Sequence, residues 1–212
     1  MKPTRLTGHL IAIYTLLSLT NLAFSATDEK RILFLGDSLT AGYGIDPNQA
    51  YPALLAEKLE ERGLEYAVSP AGLSGETSAG GLRRAKWVMQ KPVDILVLAL
   101  GANDGLRGIK LSDTKRNLQG IIDFAKGEYP NIKIVIAGML MPPNLGEAYT
   151  AEFRAMFPSL AETNDATLIP FLLEGVAGEP ELNIADGIHP NPEGHKILAE
   201  TVWNALEPLL EK

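Results

Sequence analysis

The order of residues predicts an α/β protein: a parallel sheet with helices on both faces. Three observations carry this. Short apolar runs alternate with segments whose apolar residues recur at helical spacing. The run Val93-Asp94-Ile95-Leu96-Val97-Leu98-Ala99-Leu100 is apolar nearly throughout, as a strand buried on both faces must be. Polar, glycine-rich blocks follow the strand-like runs, and parallel sheets gather their sites outside the carboxyl ends of the strands.

Taken in order, Arg31 to Gly36 reads as the first strand. Ala50 to Arg62 carries Leu54, Leu55 and Leu59 at helical spacing and stops before Gly63, a helix-ending residue. Tyr66 to Val68 is a short second strand and Thr77 to Gln90 a helix. Val93 to Leu100 is the third strand. Ser112 to Lys126 is a helix, with Ser112 or Asp113 as its expected cap. Ile132 to Ala137 is the fourth strand, Glu152 to Glu162 a helix and Thr167 to Phe171 the fifth strand. Glu193 to Leu210 is a closing helix that starts just after Pro190 and Pro192. Right-handed crossovers are expected between the strands.

The chain has 212 residues, 46% hydrophobic and 21% charged, which suits one globular domain with a sizeable core. No period of about 20 to 50 residues recurs, so a solenoid or propeller is not expected. Residues 1–25 stand apart. Lys2 and Arg5 precede the largely apolar, uncharged stretch Leu10 to Leu22, and Ala23-Phe24-Ser25 places small residues at −3 and −1 of a cleavage site. This is the pattern of a secretory signal peptide, with cleavage after Ser25 or one residue later. The alternative is an uncleaved anchor, but the apolar run falls short of the ~20 residues a spanning helix needs. The expected product is a periplasmic or secreted domain, residues 26–212, without a stable membrane anchor. A monomer is expected. The leader holds two of the 19 basic residues and none of the 26 acidic ones, so the remainder carries a net −9. That disfavours nucleic acid, which wants a basic face. The absence of cysteine excludes disulfides and thiolate metal sites, and two histidines beyond the leader are a poor basis for zinc.

Four blocks carry chemistry. Gly36-Asp37-Ser38-Leu39-Thr40-Ala41-Gly42-Tyr43-Gly44 follows strand one. Ala71-Gly72-Leu73-Ser74-Gly75-Glu76-Thr77-Ser78 follows strand two, and Gly101-Ala102-Asn103-Asp104-Gly105 follows strand three. Asp186-Gly187-Ile188-His189-Pro190-Asn191 precedes the last helix. A serine hydroxyl becomes a useful nucleophile once a neighbouring base takes its proton, and histidine is the natural base near neutral pH. Asp186, three residues before His189, suits the ring Nδ1–H in a tight turn and leaves Nε2 free for Ser38. Oxyanion donors are available from the Ser38 backbone N–H, a glycine N–H of the second loop (Gly72 or Gly75) and the Asn103 amide. One such donor is worth ~3 kcal/mol of barrier.

These blocks resemble the GDSL, or SGNH, hydrolase family, named for Ser, Gly, Asn and His in four separated blocks. All four stand here in order, across nearly the whole chain after the leader. Within the family the chain is most similar to the exported branch called multifunctional acyl-CoA thioesterase, lysophospholipase and arylesterase. Ser74-Gly75-Glu76-Thr77-Ser78, Asn103 to Gly108 and Asp186 to Asn191 carry that closer likeness. The resemblance implies a flavodoxin-like three-layer α/β/α sandwich with five parallel strands. It implies the triad Ser38, Asp186 and His189, and the oxyanion donors Ser38, Gly75 and Asn103, with Gly75 favoured over Gly72. The substrates implied are small acyl esters or thioesters, with no metal and no cofactor.

Plainer roles stand beside these. Ser38 also suits a helix cap, Asn103 and Asp186-Gly187 suit turns, and His195 suits packing or the surface. Asp37 is expected to hold its loop through backbone hydrogen bonds, and Asp104 to orient Asn103. Residues 105–110 are read as a mobile loop beside the acyl site and 139–149 as a wall of it, with plain connections as the alternative for both. Three other functions fit parts of the pattern. A polysaccharide O-deacetylase uses the same chemistry in an open, polar groove. An FMN carrier would cradle phosphate on Ser38, Thr40 and Gly42, would be yellow, and would leave the histidine block without a purpose. A non-catalytic binding domain on the same fold would hydrolyse no activated ester.

Overall fold

A computed structural model describes residues 30–211; the proposed leader, residues 1–25, lies outside the described residues. Five strands form one sheet: β1 (Lys30–Gly36), β2 (Tyr66–Gly72), β3 (Ile95–Ala99), β4 (Lys133–Ala137) and β5 (Thr167–Ile169). Their order is β2-β1-β3-β4-β5, and every neighbouring pair is parallel. Ile32 to Leu35 of β1 and all of β3 are buried, which accounts for their unbroken apolar sequence.

The helices are α1 (Ser38–Ala41), α2 (Tyr51–Glu61), α3 (Ser78–Val88), α4 (Ala102–Leu106), α5 (Leu111–Glu128), α6 (Glu147–Asn164) and α7 (Pro192–Leu206). The chain leaves β1 for β2 in one direction, then crosses back to β3, β4 and β5 in the other. Right-handed crossovers therefore place α2 on one face and α3, α5 and α6 on the other. The contacts agree: α3 packs on α5 and α5 on α6, while α7 returns to pack on α2. This is the three-layer α/β/α sandwich with a five-stranded parallel sheet expected from the sequence.

Element ends differ where local chemistry overrides pattern. β2 runs on to Gly72 through Pro70, which an edge strand tolerates because no ladder hydrogen bond is needed on its open side. β5 stops before Pro170, and α7 gives way to a 3₁₀ turn, Glu207–Leu209, at Pro208. α5 begins earlier than expected, with Lys110 at the cap position and no side-chain cap; neither Ser112 nor Asp113 serves. α6 extends from Glu147 to Asn164 and accommodates Pro158 on its exposed face.

The register decides where the site forms. Gly36 pairs with both Gly72 and Ala99, and Ala137 pairs with Ile169 one row beyond Leu98–Ile136. All five strands thus end on one level, and the blocks that follow β1, β2 and β3 start side by side. The sheet order reverses between β1 and β3, so the segments leaving those two strands diverge and open a crevice between them.

Candidate active site

Ser38 opens α1, a single turn held close over the sheet. Asp37 is its N-cap, and Oδ1 accepts from the Leu39 N–H at 3.1 Å. A Cβ on Gly72 would lie 2.3 Å from the Ala41 nitrogen, so only glycine lets the end of β2 pass under α1. Thr40 turns inward, its hydroxyl 2.8 Å from the buried Tyr51 hydroxyl. That hydroxyl is therefore not presented to the crevice, which removes one element of a phosphate cradle.

His189 arrives on a tight turn braced at both ends. The His189 carbonyl accepts from the Ile184 N–H at 2.8 Å, and Asn183 bridges Pro190. Asn191 then caps α7, accepting from the Gly194 N–H at 3.0 Å. Asp186 organises the turn from within. Its Oδ1 accepts from the N–H groups of Ile188 and His189, each at 3.0 Å, and Oδ2 lies 2.6 Å from His189 Nδ1. Those backbone N–H groups, and then the imidazole, hold the carboxyl down at about 2. It stays ionised, so it accepts only, and Nδ1 carries the proton. Nε2 is then free to accept, and it sits 2.9 Å from Ser38 Oγ. Serine, imidazole and carboxylate form one hydrogen-bonded chain, assembled from residues 151 positions apart. The Tyr43 ring lies against the imidazole, 4.7 Å between centroids.

Asn103 leaves β3 on α4 and donates from Nδ2 to Asp37 Oδ2 at 3.2 Å, which joins the β1 and β3 blocks across the crevice. This corrects the role expected of Asp104. Asp104 is wholly buried and faces the other way. It accepts from the Ser78 N–H at 2.7 Å, the Ser78 hydroxyl at 2.5 Å and the Thr114 hydroxyl at 3.2 Å. Asn117 completes the cluster by donating to Ser78 Oγ at 3.0 Å. Asp104 therefore anchors the end of the second loop to α4 and α5, and the carboxylate that meets the Asn103 amide is Asp37.

The second loop is pinned at its middle as well. The buried Glu76 carboxylate pairs with Arg84, whose Nη2 also donates to the Ala71 carbonyl at 2.7 Å. Between these anchors Gly75 adopts φ +78, a conformation that side-chain-bearing residues rarely take, and its carbonyl accepts from Arg107 Nη2 at 3.0 Å. Among the described residues no protein acceptor takes the backbone N–H of Ser38 or of Gly75. Gly72, by contrast, lies within β2.

The segments after β3 and β4 close on each other. Gly105 sits against Met141, and the Tyr149 hydroxyl lies 3.1 Å from the Ile109 carbonyl and 3.3 Å from that of Gly105. His195 takes no part in the crevice. It is buried between α2 and α7, and Nδ1 accepts from the Tyr51 N–H at 3.1 Å.

Residues 34–197 match the model of the GDSL-like lipase/acylhydrolase family. The chain belongs to that family. It is 39% identical over 183 residues to the esterase TesA of Pseudomonas aeruginosa, covering 85% of this chain and 90% of that one. It is 36% identical over 195 residues to thioesterase 1/protease 1/lysophospholipase L1 of Escherichia coli, covering 92% and 91% of the two chains. A crystal structure of TesA superposes with a TM-score of 0.81 at 38% identity, covering 85% of this chain and all of that one. Tyr43 and the partnership of Asp37 with Asn103 were not foreseen from the sequence. Tyr43 stands in the Ser38 block without a mark of its own, and no local pattern announces a partner 66 residues away.

Proposed function

We propose that the protein hydrolyses carboxylic esters and thioesters through an acyl-enzyme on Ser38. The observation that carries this reading is the unbroken chain from Ser38 Oγ to His189 Nε2 (2.9 Å) and from Nδ1 to Asp186 Oδ2 (2.6 Å). Ser38 Oγ attacks the carbonyl carbon as His189 Nε2 takes its proton, and Asp186 stabilises the imidazolium that forms. The carbonyl oxygen becomes an oxyanion, received by the N–H groups of Ser38 and Gly75 and by the second Nδ2 hydrogen of Asn103. Collapse of this intermediate breaks the bond to the alcohol or thiol, which leaves with the proton from His189. Water then attacks the acyl-enzyme, the imidazole takes a proton from it, and the acid departs as Ser38 regains its own.

Apolar acyl groups suit the rim better than acetylated sugars. Among the described residues six large hydrophobics are exposed, and Tyr43, Leu73, Leu106, Leu140 and Ile188 stand on the segments beyond the strand ends. The sixth of them, Trp87, lies elsewhere, near the end of α3. Leu106 and Leu140 come from the two segments that close on each other, which supports placing both beside the acyl site. An O-deacetylase would want hydrogen-bonding groups there. The charge pattern of residues 1–25 supports export to the periplasm or beyond, leaving residues 26–212 as a single hydrolase domain. Among the described residues no helix is long and apolar enough to cross a membrane.

A fluorophosphonate probe tests the nucleophile: wild type labels and Ser38→Ala does not, and equal labelling of both sinks the reading. A panel of aryl esters, acyl-CoA thioesters, lysophospholipids and acetylated sugars, each scored as kcat/KM, tests the substrate class. Preference for acetylated sugars would overturn the acyl assignment.

A further inference from the structure

We propose that Asp37 is a positioning residue for the reaction: it fixes the Asn103 side-chain amide with its N–H side toward the oxyanion. The inference rests on the ester-hydrolase reading above.

A helix cap needs one acceptor, and Oδ1 supplies it to the Leu39 N–H. Serine or asparagine would cap α1 as well. The second oxygen does something neither of them can do. An ionised carboxylate only accepts, whereas the two ends of an amide are a donor and an acceptor. With Oδ2 3.2 Å from the amide, Asn103 is restricted to the orientation that points Nδ2 at Asp37. The flipped amide would set its own oxygen against the anion. In the allowed orientation Nδ2 keeps a second hydrogen for the substrate oxygen. In the flipped one a carbonyl oxygen would face the developing oxyanion and raise the barrier. Asp37 also ties Asn103 to α1, and so holds two of the three proposed donors in one rigid unit.

The environment makes this charge sensitive to pH. Burial pushes the Asp37 carboxyl up to about 6, against the lowering effect of the Leu39 N–H, the Asn103 amide and a positively charged His189. The Tyr51 phenol, beyond Thr40, is raised by burial and stays neutral, so His189 is the charge partner. A protonated Asp37 gains an O–H that Asn103 Oδ1 can accept, and the amide is then free to turn.

Asp37→Asn is the test. The Leu39 N–H claims the one remaining acceptor oxygen, so the new amide turns its NH₂ toward Asn103 and selects the wrong orientation. We expect kcat to fall by ~10²–10³, the loss typical of one oxyanion donor, with KM changed by less than about threefold. Asn103→Ala should lose a similar factor, and Asp37→Asn/Asn103→Ala should lose no more than Asn103→Ala alone. A kcat for Asp37→Asn within about threefold of wild type overturns the proposal. So does a double variant whose loss is the product of the two single losses. Should Asp37→Asn not fold, Asn103→Ala carries the test alone. Wild-type kcat should show an extra loss as Asp37 takes up its proton on falling through about pH 6, and Asn103→Ala should lack it; the same extra loss in both overturns the proposal. Failure of the serine-hydrolase reading would show separately, as labelling of Ser38→Ala by the fluorophosphonate probe.

Discussion

Replacing Asp104 with alanine should cost this protein stability first and activity second. The carboxylate is wholly buried and accepts from three donors: the Ser78 N–H at 2.7 Å, the Ser78 hydroxyl at 2.5 Å and the Thr114 hydroxyl at 3.2 Å. The first two are short and charge-assisted, worth ~1.5–3 kcal/mol each, and the third is weaker. The hydroxyls can rotate toward other acceptors, and removing a buried charge refunds part of its desolvation. The Ser78 N–H cannot move, and alanine leaves it without an acceptor. The net loss is about 4 kcal/mol, at the upper end of what single substitutions cost. At ~2–4 °C per kcal/mol for a domain of this size, the melting temperature should fall by ~8–16 °C. Urea unfolding followed by circular dichroism measures the free energy directly. At a temperature where the variant is folded, kcat should still fall, because the loop that carries Gly75 loses its anchor to α4 and α5. A stability loss below about 1 kcal/mol would refute the assignment of Asp104 as that anchor.

Two further perturbations probe the imidazoles. Asp186→Asn keeps an oxygen for the Ile188 and His189 N–H groups but turns an NH₂ toward Nδ1, which selects the tautomer with Nε2–H facing Ser38; kcat should drop by ~10³–10⁴. A loss under about tenfold in aryl-ester hydrolysis would count against this carboxylate as the orienting group. His195 is held neutral, down at about 4, chiefly by burial, so the unfolded chain binds its proton first as pH falls from 6.5. Its contribution to stability is complete above pH 6.5 and is lost progressively between pH 6.5 and 4. Asp37, raised to about 6, works in the opposite direction between pH 6 and 4, because there the folded chain binds the extra proton. His195→Asn retains an acceptor for the Tyr51 N–H and removes only the first effect. The gap in unfolding free energy between wild type and His195→Asn should therefore narrow from pH 7 to pH 4.5, and parallel pH profiles would refute the buried neutral imidazole.

Much of this was legible from residue order, and the exceptions have physical causes. The strands were visible because burial on both faces demands unbroken apolar sequence, as in Ile95 to Ala99. Helix ends were less visible. Ser112 and Asp113 looked like caps, yet Lys110 begins α5 without one, because packing of Leu111 in the core sets the start. Ser38 and Asn103 stood out because each sits in a polar block after an apolar run, and Asp186 and His189 because a carboxylate stands three residues before a histidine at the head of the last helix. Asp104 was misread because it neighbours Asn103 in sequence. In a one-turn helix adjacent side chains point about 100° apart, and Asp104 turns into the core while Asn103 faces the crevice.

The sequence by itself determined the layers, the strand count and the chemical character of the blocks, since these follow from hydrophobic period and side-chain type. Tertiary structure decided which groups meet. A sheet that reverses direction between β1 and β3, with all strands ending on one level, brings Ser38 within 2.9 Å of a histidine 151 residues away and sets Asp37 against Asn103. Hydrogen bonds are specified to tenths of an ångström, and no one-dimensional spacing encodes them. The inward turn of Thr40, the burial of Asp104 and the joining of Gly105 to Met141 are likewise products of packing, where the space left by neighbouring elements selects one orientation for each side chain.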